Sequence, residues 1–359
     1  MDKLKVFEAF SGYGSQSIAL RNLGIPHEVV AISEIDKYAI KAYEAIHGSA
    51  LNLGDISKIK VEDVPQHDLF TYSFPCQDLS VAGKQAGLGK GTRSGLLYEC
   101  EKIIEYCRPK YLLLENVKNL VGKKFRLQFD EWLDYLEGLG YTNYWKVLNA
   151  KDYGVPQNRE RVFVVSILGD HEPFEFPDKM ALDKCIADIL EDGVDEKYYL
   201  SEEIQNRFKI TNQNKNIIGT TKPDFRTIGQ RDLVYDKNGI MGALVATDYK
   251  QPKQIAEINN LGMLDIKGNE QIRRVYGTDG ISPALTTMQG GNRQPKILEG
   301  LDYRIRKLTP RECFRLMGMN DCDIDKIQAT GLSNTQQYKM AGNSIVVNVL
   351  EAIFKELFL

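Results

Sequence analysis

Residues 5–15 have the sequence KVFEAFSGYGS, and a stretch of helical composition, residues 18–23, follows them. The apolar run at 5–10 predicts a first β-strand, and the glycines Gly12 and Gly14 predict a tight turn before a helix. A strand, a glycine turn and a helix are typical of the opening of a nucleotide-cofactor fold, because glycine lets the backbone approach a ligand closely. The sequence therefore predicts a doubly wound α/β domain at this end of the chain.

Acidic residues follow the next two predicted strands. Glu34 lies 20 residues after Gly14, at the end of an apolar run, where an acidic side chain would bind the two ribose hydroxyls of an adenosine. Asp55 is expected to cap the next strand end and to meet the adenine amino group. Position 17 holds Ser17 instead of the third glycine of the dinucleotide pattern. This favours S-adenosylmethionine over NAD as the cofactor.

Cys76 lies in the sequence FPCQDLS at residues 74–80, between a strand-like apolar stretch and a glycine-rich loop. A thiol in such a loop indicates a nucleophile, because a structural cysteine lies more often inside a helix or strand. Pro75 fixes the backbone just before the sulfur. The pattern alone leaves a structural role for Cys76 open.

Charged side chains accompany two further predicted strands. Glu115 ends an apolar run, where both a catalytic carboxylate and a helix cap are open interpretations. Gln157, Arg159 and Arg161 alternate before another apolar strand, so we expect the three side chains on one face. With Cys76 these residues predict a site that holds a thiol, a carboxylate and guanidinium groups.

A series of sequence blocks extends along most of the chain. The blocks are FSGYG at 10–14, Glu34, GDI at 54–56, FPCQ at 74–77, ENV at 115–117, QxRxR at 157–161, RKLTPRECFRLMG at 306–318 and GNS at 342–344. In their order and content the chain resembles the DNA (cytosine-5)-methyltransferases of the bacterial and phage restriction-modification type. Only residues of about 169–300 lack motifs shared across that family.

The resemblance implies an α/β architecture with a mostly parallel sheet, the Rossmann-like fold of S-adenosylmethionine-dependent methyltransferases, and a second, smaller, β-rich target-recognition domain. The implied catalytic and cofactor-binding domain spans residues 1–170, and the target-recognition domain spans 171–305. A C-terminal segment at 306–359 is expected to pack its last part, about 330–359, back on the catalytic domain.

The resemblance also implies a role for each matching residue. Cys76 adds to carbon 6 of a flipped-out cytosine, Glu115 holds or protonates ring N3, and Arg161 holds the O2 oxygen. Arg159 positions the site and a neighbouring phosphate, and Gln77 is a further catalytic residue. The residues implied to bind S-adenosylmethionine, with S-adenosylhomocysteine as the product, are Phe10, Gly12, Gly14, Glu34, Asp55, Ile56, Phe74, Pro75, Leu96, Asn343 and Ser344.

Composition limits the remaining possibilities. The 359 residues are 43% hydrophobic and carry a net charge of −3, as in an ordinary soluble protein, and no stretch reaches membrane-spanning length. Six cysteines without zinc spacing and four scattered histidines make a metal site unexpected. We expect a monomeric, cytoplasmic protein of bacterial or phage origin that acts on double-stranded DNA and has no obligate protein partner.

Local clusters of charge bind phosphates, so a small net charge does not exclude DNA as a substrate. The basic clusters are Lys84, Lys90 and Arg93; Lys118, Lys123, Lys124 and Arg126; and Arg304, Arg306, Lys307 and Arg311. Each cluster is equally open to interpretation as a solvated surface. Lys84 and Arg93 are candidate DNA contacts.

An imperfect internal repeat lies between the two groups of motifs. Residues 234–235 and 275–276 both have the sequence VY, an offset of 41 residues. Either the two copies of the repeat are two hairpins with similar turn residues, or each copy offers a polar loop to a DNA groove. Because Arg pairs with guanine, and Gln and Asn pair with adenine, the candidate DNA contacts of these loops are Lys250, Gln251, Gln289, Asn292 and Arg293.

Other functions remain as alternatives. A tRNA cytosine methyltransferase would use the same chemistry, but that branch of the family differs just after the Pro-Cys pair and has a shorter recognition region. A non-catalytic DNA-binding relative would not need Cys76, Glu115 and Arg161 together. An NAD oxidoreductase is a remote third possibility.

Overall fold

The computed structural model describes residues 3–75, 94–201, 209–214, 216–221, 232–237, 239–250, 252–258, 275–277, 296–298 and 303–359. Several predicted site residues lie outside the described residues, and these are Cys76, Gln77, Lys84, Arg93, Gln251, Gln289, Asn292 and Arg293. The chain forms two compact units. The first comprises Met1–Asp192, Asn238–Pro252 and Thr309–Leu359, and the second comprises Gly193–Lys237 and Lys253–Leu308. Residues 171–192 and 238–252 thus cluster with the first unit, and the functional division into domains stays a prediction.

A six-stranded sheet forms the centre of the first unit, in the order β2-β1-β3-β4-β7-β5. Its strands are β1 (Leu4–Ala9), β2 (His27–Ser33), β3 (Leu69–Tyr72), β4 (Tyr111–Val117), β5 (Tyr141–Asn149) and β7 (Glu160–Leu168). β1 to β4 are parallel, and β7 runs antiparallel to both β4 and β5. β3 is buried along its whole length, as expected for a strand covered on both faces. The prediction of a mixed α/β fold with a mostly parallel sheet is confirmed.

Eight α-helices occur among the described residues, and these are α1 (Ser15–Asn22), α2 (Lys37–His47), α3 (Leu97–Cys107), α4 (Arg126–Gly138), α5 (Pro310–Arg315), α6 (Asp321–Ala329), α7 (Asn334–Asn343) and α8 (Val347–Phe358). α2 begins after Asp36, whose side chain accepts a hydrogen bond from the Tyr38 N–H at 2.9 Å. α5 begins with Pro310, and Thr309 and Glu312 cap it reciprocally. α1 packs against α8, so the last helix of the chain covers the first.

The core of the central sheet is built from strands and from α3 and α4. Phe7 of β1 stacks on Phe70 of β3 with ring centroids 5.1 Å apart, and Leu114 of β4 lies in the same cluster. Ile104 of α3 and Trp132 of α4 pack against these strands. Burial of such apolar side chains contributes about 25 cal/mol for each Å² removed from water. This core fixes the positions of the carboxyl ends of β1 to β4.

Two short strands, β6 (Gln157–Asn158) and β11 (Met241–Gly242), pair in parallel inside the first unit. In the second unit a five-stranded sheet has the order β15-β12-β10-β9-β8. Its strands are β8 (Lys209–Asn214), β9 (Ile217–Thr220), β10 (Leu233–Asp236), β12 (Gln254–Ile258) and β15 (Tyr303–Lys307). The role of this unit in target recognition stays a prediction.

The internal repeat has a structural counterpart. β10 pairs in parallel with β12, and β13 (Val275–Gly277) pairs in parallel with β14 (Lys296–Leu298). Val234 and Val275, which match in the repeat, occupy the first paired position of their strands. Each copy therefore has the same plan, a strand, a connecting segment and a second strand parallel to the first.

Candidate active site

The turn after β1 leaves space beside its backbone. Phe10, Gly12 and Gly14 have φ angles of 55°, 58° and 80°, in the left-handed region. A Cβ on Gly14 would lie 2.5 Å from Nε2 of His47 and 2.7 Å from Cε2 of Tyr43, whereas a Cβ on Gly12 would meet nothing within 4 Å. Protein fills the space at Gly14, and a ligand can approach the backbone at Gly12.

Glu34, at the carboxyl end of β2, lies against this turn. Its Oε2 accepts a hydrogen bond from the Gly12 N–H at 3.0 Å. Its Oε1 accepts from the N–H groups of Ile35 and Asp36, each at 2.8 Å. The carboxylate is thus held beside the open side of Gly12. This placement suits the predicted contact with a ribose.

The loop that carries Asp55 is tied to the end of β2 through Asn52. The Asn52 side chain accepts from the Glu34 N–H at 3.2 Å and from the Gly54 N–H at 2.9 Å, and donates to the Glu34 carbonyl at 3.0 Å. Asp55 itself accepts from the Ser57 hydroxyl at 2.8 Å and from its N–H at 3.1 Å, and these bonds lower the pKa of Asp55. Asp55 therefore caps the short 3-10 turn Ile56–Lys58, which differs from the expected cap of a strand end.

The apolar residues predicted to bind the cofactor divide into two groups. The side chains of Ile56 and Phe74 are 4% and 2% exposed and belong to the core of the central sheet. Phe10 and Leu96 are partly buried and pack against that core, so part of each remains accessible. Sequence reasoning missed Ile35, whose side chain is 73% exposed directly after Glu34. An apolar residue that follows a strand-end acid was the available signal.

Glu115 and Arg161 form an ion pair at the carboxyl end of β4. The register pairs Glu115 with Phe163 and Val117 with Arg161, so Glu115 and Arg161 are diagonal neighbours on one face of the sheet. Nε of Arg161 lies 3.1 Å from Oε1 of Glu115, and both side chains are largely buried. The predicted carboxylate and one predicted guanidinium are thus in direct contact.

Burial raises the pKa of Glu115 above its ordinary value, and the charges of Arg161 and Arg159 offset part of this rise. A raised pKa favours the protonated carboxyl group, which can donate a hydrogen bond or a proton. Arg161 orients this side chain through the contact between its Nε and Oε1 of Glu115. The pair is therefore suited to acid catalysis on a group placed next to it.

Asn116 connects this strand end to the segment that leads to Cys76. Its Nδ2 donates to the carbonyl of Phe74 at 3.1 Å, and its Oδ1 accepts from the Val117 N–H at 2.9 Å. Phe74 precedes Cys76 by two residues in the sequence. The structure thus brings the residues before Cys76 to Glu115 and Arg161, while Cys76 and Gln77 lie outside the described residues.

Gln157 does not share one site with Arg161, contrary to the alternation expected from the sequence, whereas Arg159 and Arg161 both line one small pocket. Gln157 is fully buried, donates to the Leu316 carbonyl at 2.6 Å and accepts from the Leu244 N–H at 3.0 Å. Arg159 is 4% exposed and lies between β6 and β7, where the alternation is interrupted.

Arg159 donates to main-chain carbonyls. Its NH1 reaches Leu244 at 2.7 Å, and its NH2 reaches Gly342 at 3.2 Å and Ser344 at 2.8 Å. These bonds fit the positioning role expected for Arg159, and its expected contact with a phosphate stays a prediction.

The GNS segment near the C-terminus is packed against the first unit. A Cβ on Gly342 would lie 2.4 Å from the backbone of Val245, so only glycine permits this approach. The Ser344 hydroxyl donates to the Met340 carbonyl at 2.7 Å, and Asn343 is exposed. The cofactor roles of Asn343 and Ser344 stay predictions.

Most basic residues of the described clusters have protein partners. Lys118 pairs with Glu160 at 2.9 Å, Arg126 pairs with Asp130 at 2.8 Å, and Arg306 is fully buried. Arg311 forms ion pairs with Glu191 at 3.3 Å and with Asp321 at 3.2 Å. These contacts argue against interpreting those clusters as free phosphate-binding surfaces. Lys123 is exposed, and so is Lys250, whose Nζ lies 5.9 Å from the centroid of the Tyr249 ring.

No group of three or more His, Cys, Asp or Glu side chains suited to a metal ion occurs among the residues described above. Within those ranges, no helix is both long enough and apolar enough to cross a bilayer.

A family model for C-5 cytosine-specific DNA methylases matches residues 4–359. The chain belongs to this family. It is therefore a DNA cytosine-5 methyltransferase. The type II methyltransferase M2.ScrFI of Lactococcus lactis subsp. cremoris is 39% identical over 412 residues, with 99% of each chain covered. The orphan methyltransferase M.SPBetaI of Bacillus phage SPbeta is 33% identical over 466 residues, with 99% of this chain and 98% of the relative covered.

Solved structures show the same fold at low sequence identity. The S. pombe Dnmt2 methyltransferase superposes with a TM-score of 0.67 at 19% identity, covering 100% of this chain and 98% of its own. The Entamoeba histolytica methyltransferase EhMeth superposes with a TM-score of 0.70 at 18% identity and the same coverage. These similarities support the fold of this methyltransferase and carry no further assignment.

Proposed function

We propose that this methyltransferase transfers a methyl group from S-adenosylmethionine to carbon 5 of a flipped-out cytosine in duplex DNA, through a covalent adduct of Cys76. The observation that carries the proposal is the buried Glu115–Arg161 pair beside the segment that leads into Cys76. A carboxyl group with a raised pKa, a guanidinium and a thiol are the groups that this reaction needs.

The thiol supplies the nucleophile. Carbon 5 of cytosine is a poor nucleophile, so the Cys76 thiolate first adds to carbon 6, which makes carbon 5 electron-rich. S-adenosylmethionine, when bound, supplies the methyl group that carbon 5 accepts. A base then removes the carbon 5 proton, the bond between sulfur and carbon 6 breaks, and the thiolate is regenerated.

Glu115 and Arg161 hold the ring during addition. The protonated Glu115 carboxyl group donates to N3 as negative charge develops on the ring, and the raised pKa of Glu115 favours this protonated form. Arg161 holds the O2 oxygen while its Nε orients the carboxyl group. The active form of Glu115 is protonated, so activity should fall as pH rises through the pKa of Glu115.

The turn after β1 fits an adenosine-containing cofactor. Gly12 leaves open space, Glu34 holds a carboxylate beside it for the ribose hydroxyls, and Ile35 offers an exposed apolar surface next to that carboxylate. A purine ring can lie on such a surface while Asp55 accepts from its amino group. Phe10 and Leu96 would contact the remainder of the cofactor.

The cytosine must leave the duplex to reach this buried site, because its carbon 5 is stacked inside the helix. Lys84, Arg93, Lys250, Gln251, Gln289, Asn292 and Arg293 are the proposed DNA contacts. The cytoplasmic location and the monomeric state expected from the sequence stay predictions.

Methyl transfer from labelled S-adenosylmethionine tests the proposal, with duplex DNA and tRNA as separate substrates. We expect label at carbon 5 of cytosine in DNA and none in tRNA. Glu115→Gln should lower kcat by about 10² to 10⁴, the usual contribution of general acid catalysis, while DNA binding persists. Glu137→Gln, on the exposed side of α4, is the matched control and should keep full activity. Incorporation into tRNA alone, or full activity of Glu115→Gln, would contradict the proposal.

A further inference from the structure

The first copy of the internal repeat is divided between the two units. In the first copy, β10 and β12 belong to the second unit, but the connecting residues Asn238–Pro252 cluster with the first unit. In the second copy, β13 and β14 both belong to the second unit. The connecting segment of the first copy is thus attached to a different unit from the strands that flank it.

Buried hydrogen bonds fix the first connecting segment to the catalytic unit. Met241 and Gly242 pair with β6, and the Met241 N–H donates to the Pro156 carbonyl at 2.8 Å. The next anchor is Leu244, whose N–H donates to Gln157 at 3.0 Å and whose carbonyl accepts from Arg159 at 2.7 Å. Both backbone groups of Leu244 therefore bind side chains that are themselves buried.

The turn that follows is equally constrained. The Val245 N–H donates to Oδ2 of Asp248 at 2.9 Å, and Asp248 is 3% exposed. On its other side, the Val245 backbone lies against Gly342, where a Cβ would approach to 2.4 Å. Residues Ala246–Lys250 form a 3-10 turn that packs on α7. The segment is thus fixed to the unit that also carries Arg161.

The side chains that this turn exposes are suited to a DNA backbone. Val245 is 38% exposed, Tyr249 is 37% exposed, and Lys250 is exposed beside the Tyr249 ring. Lys and Tyr side chains donate to phosphate oxygens, and such contacts position a protein on DNA without distinguishing one base sequence from another. The described residues of the turn, Ala246–Lys250, include no amide or guanidinium side chain, and the Lys250 ammonium can donate either to a phosphate or to guanine. The base preference of a Lys250 variant distinguishes these two contacts.

We propose that the turn Ala246–Lys250 of the first copy is a sequence-independent anchor for the DNA backbone beside the catalytic site. Tyr249 and Lys250 contact the phosphates, and Gln157 is a positioning residue that holds the turn through Leu244. Base recognition then falls to other parts of the chain. This inference rests on the proposed action on duplex DNA.

The test uses the full-length protein and a duplex library with randomised sequence. Methylated sites are sequenced for the wild type, Tyr249→Phe and Lys250→Ala, and affinity for one fixed duplex is measured from 50 to 200 mM salt. Lys355→Ala, an exposed residue of α8, is the charge-matched control. If the wild type methylates no cytosine in the library, the proposed function itself is wrong.

With an active wild type, we expect Lys250→Ala to lower kcat/KM about threefold to tenfold at every site, with an unchanged base preference at each position. The slope of log affinity against log salt should decrease by about 0.9, the value for one lost phosphate contact. Tyr249→Phe should also weaken binding without changing the preference. A changed base preference in either variant, or a salt slope for Lys250→Ala equal to that of Lys355→Ala, would overturn the inference.

The positioning role of Gln157 is tested with two substitutions. Gln157→Glu retains the acceptor for the Leu244 N–H but cannot donate to the Leu316 carbonyl, and Gln157→Met removes both bonds at similar volume. We expect both to raise KM for DNA more than they lower kcat, with Gln157→Met the more affected and with S-adenosylmethionine affinity unchanged. Equal losses in kcat and cofactor affinity would show a general structural role instead.

Discussion

Glu8 offers a quantitative test of the structure beneath the cofactor turn. It lies on β1, is fully buried, and accepts hydrogen bonds from the Ser17 N–H at 3.0 Å and the Ser17 hydroxyl at 2.7 Å. Burial raises the pKa of Glu8 from 4.5 to about 7, although the bonds from Ser17 oppose this rise. The carboxyl group therefore joins β1 to α1 across the glycine turn, in a site that disfavours its charged form.

The sign of the pH effect follows from linkage. Between pH 4.5 and about 7 the folded protein binds more protons at Glu8 than the unfolded chain does, so stability decreases as pH rises through this range. The difference of about 2.5 pH units, at about 1.4 kcal/mol each, corresponds to about 3 kcal/mol. Glu8→Gln retains an oxygen acceptor for Ser17 and carries no titratable group. The variant should therefore avoid this loss.

Urea unfolding followed by tryptophan fluorescence measures the effect in the relevant unit, because Trp132 and Trp145 both lie within Met1–Asp192. Glu8→Gln should match the wild type near pH 4.5 and exceed its free energy of unfolding by about 3 kcal/mol at pH 8.5. His47, whose pKa is lowered to about 4 by burial, titrates in both proteins and cancels in the difference. A stability difference that stays constant from pH 4.5 to 8.5 would refute the reasoning, and Glu137→Gln should show none.

Three further expectations concern the cofactor turn and the catalytic pair. Gly14→Ala should lose about 2 kcal/mol of stability or more, because of backbone strain and the clash at 2.5 Å. Gly12→Ala should lose about 1 kcal/mol of stability and should weaken S-adenosylmethionine binding, which calorimetry measures. Equal stability losses of the two variants on denaturation would contradict this contrast. Glu34→Ala should weaken the cofactor at least tenfold with DNA affinity unchanged, and unaltered calorimetric affinity would place the ribose contact elsewhere. Arg161→Ala should lower kcat and move the alkaline limb of the pH–rate profile to higher pH, because the charge that lowers the pKa of Glu115 is lost. An unchanged alkaline limb would show that the titration of Glu115 does not produce it.

The local patterns of the sequence were sufficient to predict the first elements of the central sheet. Alternation of apolar runs with glycine turns predicted β1, the turn at Gly12 and Gly14, and α1, because each depends on residues adjacent in the chain. Glu34 and Glu115 both lie at strand ends as predicted, since the carboxyl ends of parallel strands meet at one edge. What those side chains bind could not be derived from the residue pattern alone.

Long-range contacts explain the expectations that the structure changed. The alternation of Gln157, Arg159 and Arg161 predicted one common face. Arg159 and Arg161 do line one pocket, but Gln157 lies in β6, whose partner β11 comes from residues 241–242. The ion pairs of Arg311 could not be predicted either, because its acidic partners Glu191, Asp321 and Asp325 lie in other segments of the chain. Charge composition identifies cations but not the anions that neutralise them.

The covalent adduct of Cys76 can be tested by trapping it. Duplex DNA containing 5-fluorocytosine retains the adduct, because the fluorine at carbon 5 cannot be removed as a proton. With S-adenosylmethionine present, the wild type and Cys322→Ser, an exposed cysteine of α6, should both form a denaturant-stable protein–DNA complex. Cys76→Ser should form none and methylate no normal DNA, while it still binds both DNA and cofactor. A stable complex with Cys76→Ser, or methylation by it at a substantial rate, would contradict the account.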